Sequence, residues 1–201
     1  AKYYDEKNIE AAIKRASKLL LKDKNSAYLY NYLGACLVLQ KKFFDAEVAF
    51  KKSIEIENNK CEAEFNLAKL QIRQGNFSGG WEAYETGLNN NIRKVFDNFN
   101  LNSNEIWDGK PFKDFLLVYG EKNLNDQIIF STLIDDLINV QKNIVLVIDD
   151  KLKKLFQRSY PGIKVFGYSD DLSNVEYSRH IALGSLCKFY RTSIEDYESA
   201  L

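Results

Sequence analysis

A step of about 34 residues runs through the first half of the chain and constrains its fold more than any other feature. Ile9, Phe43 and Phe77 recur at that step, followed by Ala12, Ala46 and Gly80, and then by Ala16, Phe50 and Tyr84. Leu33-Gly34 is echoed by Leu67-Ala68. A small residue at a fixed place lets one helix approach its partner closely, and an aromatic one turn later fills the space beside the contact. The segments between these positions carry turn and capping residues: Lys24-Asn25-Ser26, Lys41-Lys42, Asn58-Asn59-Lys60 and Gly75-Asn76. The pattern predicts one helix over about 8–21 and helical hairpins over about 27–57 and 61–90. An unrelated helical bundle would have no reason to stay in phase across three copies. A lone hairpin of this kind cannot bury its apolar face, so the last one is expected to pack on the segment that follows it.

Composition excludes several classes of partner. Lys+Arg and Asp+Glu both count 28, so the formal net charge is zero. Nucleic acid or an anionic membrane surface calls for a basic excess, and neither is an expected partner. No apolar run is long enough to span a bilayer, and the polar start AKYYDEKNIE lacks the apolar core of a signal peptide. The three cysteines, Cys36, Cys61 and Cys187, share no metal-ligand spacing and read as reduced thiols in a cytoplasmic protein. No metal and no cofactor is expected.

After Leu88 the pattern changes. Residues 89–104 are Asn-rich with scattered aromatics, a connector with room for a short helix. Phe115–Tyr119 is a continuous apolar run of strand length, and Leu124–Val140 has helical periodicity through Ile128, Ile129, Leu133 and Leu137. Ile144–Ile148 reads as a second buried strand, Leu152, Leu155 and Phe156 as a helix ending before Pro161-Gly162, Ile163–Phe166 as a third strand and His180–Leu183 as a fourth. Thr192–Leu201 reads as the start of another helix. Apolar strands alternating with helices predict a parallel sheet. Ligands of such sheets bind at the carboxyl ends of the strands, here Gly120–Asp126, Asp149–Lys151, Gly167–Asp171 and Gly184–Cys187. The expected organisation is helical hairpins over 1–90, a connector over 91–110 and an α/β domain over 111–201.

The 34-residue pattern resembles tetratricopeptide repeats, with Tyr30 in the slot usually given to Trp. Four further motifs resemble a group of bacterial tetratricopeptide proteins with a C-terminal glycosyltransferase domain. Gly80-Trp81-Glu82-Ala83-Tyr84-Glu85 resembles the signature closing their last repeat, and Trp107-Asp108-Gly109-Lys110-Pro111 the segment that follows. Gly120-Glu121-Lys122-Asn123-Leu124-Asn125-Asp126 resembles the GE-x-GLGD loop after their first strand, and Leu183-Gly184-Ser185-Leu186 a later loop that contains SLP. The resemblance implies an α–α superhelix of about two and a half repeats followed by a Rossmann-like lobe, the first, acceptor-side lobe of the GT-B fold found in heptosyltransferases and O-GlcNAc transferases. It also implies metal-independent sugar transfer, with Asp126 as the loop base and Glu121 shaping the same loop. The sequence departs from that pattern at Asn123 and Asn125, where the family has glycine, and at Cys187, where it has proline. Asn is the residue after glycine that best accepts a positive φ, so the loop is expected to keep its path. The sequence also stops at Leu201, before the second, nucleotide-gripping lobe, so sugar transfer by this chain alone is not expected. An open sheet edge at that place offers a route to a homo-oligomer.

Other candidates have two readings each. Asp126 is either the base or a first-turn helix carboxylate favoured by the macrodipole. His180, the single histidine, sits beside Arg179 at a strand start, where a structural role outweighs a catalytic one. Trp81 and Trp107 read as packing residues between repeats and sheet. Asp149-Asp150 reads as a helix N-terminal turn rather than a metal site, and Asp170-Asp171 as a solvated loop. Asn123, Asn125 and Ser185 line the cleft loops. In the repeats, the phase places Tyr28, Asn31, Ala35, Val38, Phe65, Lys69, Ile72 and Arg73 along the concave groove. Lys69 and Arg73, one turn apart, suit an acidic peptide of a partner protein, or else form part of a solvated helix face.

Overall fold

The computed structural model describes residues 6–57, 61–96 and 106–198. The turn at Asn58-Asn59-Lys60, residues 97–105 of the connector and the last residues of the chain lie outside the described residues. Contacts divide the chain into two units, Ala1–Ile92 and Arg93–Leu201.

The first unit holds α1 (Glu6–Leu20), α2 (Ala27–Leu39), α3 (Phe43–Ile56), α4 (Cys61–Arg73) and α5 (Phe77–Asn89). From Ala27 to Cys61 and from Phe43 to Phe77 the helix starts advance by the same 34 residues that the sequence repeats. The turns repeat as well. After α2, Lys41 takes φ 59° and Lys42 donates its N–H to the Leu37 carbonyl; after α4, Gly75 takes φ 88° and Asn76 donates to Gln71. Each closes its helix through a left-handed residue and a six-to-one hydrogen bond. Ser26 caps α2, its hydroxyl accepting from the Leu29 N–H at 3.4 Å.

The small residues carry the packing. A Cβ on Gly34 would lie 2.6 Å from the Phe50 ring, so α2 and α3 approach only because the side chain is absent. Phe50 is buried at 1 % exposure in a core with Leu37, Ala46, Ala49 and Leu70. Ser53, one repeat before Gly87, donates its hydroxyl at 2.8 Å to the Ala27 carbonyl and holds the start of α2 on the end of α3.

The second unit is built on a four-stranded sheet of β1 (Leu116–Tyr119), β2 (Ile144–Ile148), β3 (Lys164–Gly167) and β4 (Arg179–Ala182), in the order β3-β2-β1-β4. All pairs are parallel, and Val165, Leu146, Val118 and Ile181 share one row. β1 and β2 are buried at every position, which is why they read as continuous apolar runs. The helix expected over Leu124–Val140 is broken into α6 (Leu124–Phe130) and α7 (Ile134–Val140) by a 3₁₀ turn at Ser131–Leu133. The Ser131 and Thr132 hydroxyls donate to the carbonyls of Ile128 and Ile129, a local competitor for the helical ladder. α8 (Asp150–Ser159) joins β2 to β3, whereas residues 168–178 link β3 to β4 without a helix. Past β4 come a 3₁₀ turn (Leu183–Leu186), α9 (Cys187–Tyr190) and α10 (Glu195–Glu198). Trp107 is buried, edge-on to Phe189 at 5.4 Å, with its indole N–H on the Lys110 carbonyl. Trp81 belongs to the first unit, where it meets Tyr84 edge-on at 5.2 Å.

Candidate functional site

In the first unit, Ala35 and Val38 of α2, Phe50 of α3, and Asn66, Lys69, Leu70 and Arg73 of α4 enclose a cavity of about 300 Å³. Its floor is apolar and its cations sit one turn apart on α4. Lys69 Nζ lies 4.6 Å from the Phe65 ring centre and Arg73 lies 5.7 Å from that of Phe43. Both rings hold a cation in place without neutralising it. Burial draws the Lys69 pKa below the ordinary lysine value. Asn31 is buried and accepts from the Asn66 amide at 2.9 Å, so it reaches the cavity wall through Asn66. Tyr28 does not line this cavity; it is 63 % exposed and stacks on Tyr32. Phe50, Asn66 and Leu70 are the lining residues that the groove reading did not name.

In the second unit the loops after the strands converge. Sheet order reverses between β1 and β4, the switch point at which open parallel sheets take ligands. Glu121, after β1, is 1 % exposed, and its Oε1 accepts the Gly184 N–H at 3.0 Å. A Cβ on Gly184 would lie 2.6 Å from that oxygen, so the approach depends on glycine. Arg93 Nη2 donates to the Ser185 hydroxyl at 2.6 Å and stands 3.6 Å from Glu121 Oε1. Among the described residues no donor reaches Glu121 Oε2. Burial pushes the Glu121 pKa up, and the Arg93 charge opposes it only in part.

Gln127, fully buried, ties the neighbouring loops together. Its amide N–H donates to the Glu121 carbonyl at 2.6 Å, and its Oε1 accepts the Asp149 N–H at 2.9 Å. Tyr168, after β3, donates to the same Glu121 carbonyl at 2.9 Å. Asp126 lies in the first turn of α6, half-buried, and burial raises its pKa against the pull of Arg93. Ser185, read as a cleft residue, is buried under the Arg93 guanidinium.

The loop asparagines do not use the positive φ that was expected of them. Asn123 has φ −85°, not a positive value, and caps α6 by accepting the Asn125 N–H at 2.9 Å; Asn125 is itself helical. A capping side chain at 123 removes the need for a left-handed residue. Asp149 caps α8 by accepting the Lys151 N–H, and Asp150 accepts from Ser169. Asp170 and Asp171 lie in the loop after β3 as expected, but Asp170 is also tied down: it pairs with Lys153 at 2.6 Å and accepts the Gly167 N–H, both of which hold its pKa low. His180 is buried with Nδ1 3.5 Å from the Tyr119 hydroxyl. Cys36, Cys61 and Cys187 form no disulfide. Among the described residues no three metal-ligating side chains converge, and no helix is long and apolar enough to cross a membrane.

No protein-family model and no curated protein matches the sequence. Among solved structures the chain is similar to the TPR2B-domain:pHsp70-complex of yeast Sti1, at 21% identity and a TM-score of 0.38, over 44% of this chain and 76% of that one. The tetratricopeptide-like character of the helices rests on the 34-residue step of the helix starts.

Proposed function

We propose that the chain is an interaction protein whose helical hairpins hold an acidic peptide segment of a partner, and whose following α/β unit resembles a glycosyltransferase lobe. The carrying observation is the pair Lys69 and Arg73 at one wall of an apolar-floored cavity. Two cations held one turn apart over aromatic rings favour carboxylates, while the floor accepts an apolar side chain between them. Reduced cysteines suit a cytoplasmic location. Fluorescence anisotropy with a labelled Asp/Glu-rich decapeptide tests the reading. Lys69→Ala/Arg73→Ala is expected to weaken binding about tenfold, or about 1.4 kcal/mol, with the loss shrinking as salt rises. Equal affinity of the variant at low salt would remove the groove from the account.

A second reading, one lobe of a GT-B glycosyltransferase acting with a nucleotide-binding lobe, is supported by Asp126 standing half-buried with a raised pKa at the carboxyl edge of the sheet. There Asp126 would take the acceptor proton and Glu121 would hold the loop. Because this lobe corresponds to the acceptor side, calorimetry with a protein or glycan acceptor separates the two: heat that saturates and is lost in Asp126→Asn favours the enzyme reading, and its absence favours the interaction protein.

A further inference from the structure

The ligand crevice of the second unit is not open. Residues 93–96 run across it. Val95 pairs with Glu121 in an antiparallel bridge, closed by the Phe96 N–H on the Gly120 carbonyl at 3.0 Å and the Lys122 N–H on the Lys94 carbonyl at 2.9 Å. The Phe96 ring lies flat on Tyr168, with centres 4.2 Å apart and planes within 2°. Arg93 enters the switch point itself: 5 % exposed, it reaches Ser185 after β4 and Glu121 after β1. Four residues therefore touch the loops that follow three of the four strands.

The chemistry at this place matches a guanidinium. A planar cation with several N–H donors is offered a hydroxyl on one side and a buried carboxylate on the other. An open crevice would present Glu121 to a ligand, and a buried carboxylate repels phosphate as strongly as it attracts a cation. We infer that residues 93–96 are a strap that closes the crevice of the α/β unit, with the Arg93 guanidinium as an internal ligand between Glu121 and Ser185. A ligand of this crevice has to displace the strap, and the group that replaces Arg93 is a guanidinium or an amine, not a phosphate.

Native-state hydrogen exchange and a small guanidinium probe test this on the full chain. In Arg93→Ala the amides of Phe96 and Lys122 are expected to lose protection at least tenfold relative to those of Val118 and Leu146. Methylguanidinium at about 10 mM should restore that protection and raise the melting temperature in a saturable way, as binding to the folded state requires. Sodium chloride or urea at the same concentration should do neither, and the double variant Arg93→Ala/Glu121→Gln should show no rescue. Retained strap protection in Arg93→Ala, or equal rescue by sodium chloride, would overturn the inference. If Arg93→Ala does not fold in any of these media, Phe96→Ala decides. It removes the ring stack and keeps Arg93, so the amide of residue 96 and that of Lys122 should exchange faster while the strands stay protected. Strap and strand amides exchanging together there would show that no separable strap exists.

Discussion

Gln127→Leu is the sharpest test of how the carboxyl-edge loops are held. The side chain is fully buried and makes two hydrogen bonds, at 2.6 Å to the Glu121 carbonyl and at 2.9 Å from the Asp149 N–H. The two losses differ. The Glu121 carbonyl keeps a second donor, the Tyr168 hydroxyl at 2.9 Å, so only the net value of one bond is lost there, about 0.5–1.5 kcal/mol. The Asp149 N–H loses the acceptor that Gln127 supplies, which costs about 1–3 kcal/mol if the group stays buried. Burying an alkyl chain instead of an amide returns part of this, leaving about 2 kcal/mol. With a urea m-value of about 1–3 kcal/mol/M, the unfolding midpoint should fall by about 1 M. Trp81→Phe gives a background in which Trp107, buried in the second unit, is the fluorescent reporter. The shared carbonyl makes a second, stricter prediction. Tyr168→Phe keeps its ring on Phe96 and removes the other donor. The double variant leaves the carbonyl with neither donor and should be less stable than the sum of the singles by about 1 kcal/mol. A cost below about 0.5 kcal/mol for Gln127→Leu, or additive singles, would refute the staple.

Gly34→Ala should lower the melting temperature of the helical unit by about 5 °C. The added methyl group meets the buried Phe50 ring at 2.6 Å, and the overpacking cost of about 1–3 kcal/mol exceeds the gain of up to about 1 kcal/mol in helix propensity; a rise on differential calorimetry would contradict the packing. Glu121 makes stability depend on pH with a defined sign. Its folded pKa is raised above the ordinary 4.5, so the folded state holds the proton more tightly, and stability present below that value is lost as pH climbs through the folded one. Glu121→Gln should therefore gain on the wild type as pH rises from about 4.5 toward neutrality in urea titrations; a wild type that gains instead would mean that the Arg93 ion pair outweighs burial.

What was legible in the sequence is what depends on local order. The step from Phe43 to Phe77 is a period along one chain, and helices α2 to α5 follow it within a residue or two. The apolar runs at 116–119 and 144–148 announce strands buried on both faces, because such strands have no polar side to alternate with. The break in the helix over 124–140 was less legible, since Ser131 and Thr132 are also ordinary helix residues when their hydroxyls face water. The sites divide in the same way. Lys69 and Arg73 share a face because four residues make about one helical turn, so their pairing could be read directly. Glu121 and Asp126 were visible as loop residues. Their surroundings were not, because the groups that define them come from far along the chain: Arg93, Tyr168, Gly184 and Ser185.

By itself, then, the sequence determined two kinds of periodicity, the helical hairpins and the parallel sheet, and the turns that separate them. Only the tertiary structure decided which loop meets which. It placed β4 beside β1, set Arg93 into the gap between them and laid Phe96 on Tyr168. The physical reason is that periodicity is a property of neighbouring residues, whereas a buried ion pair is fixed by desolvation and by contacts across about 90 residues of sequence, to which no local pattern responds.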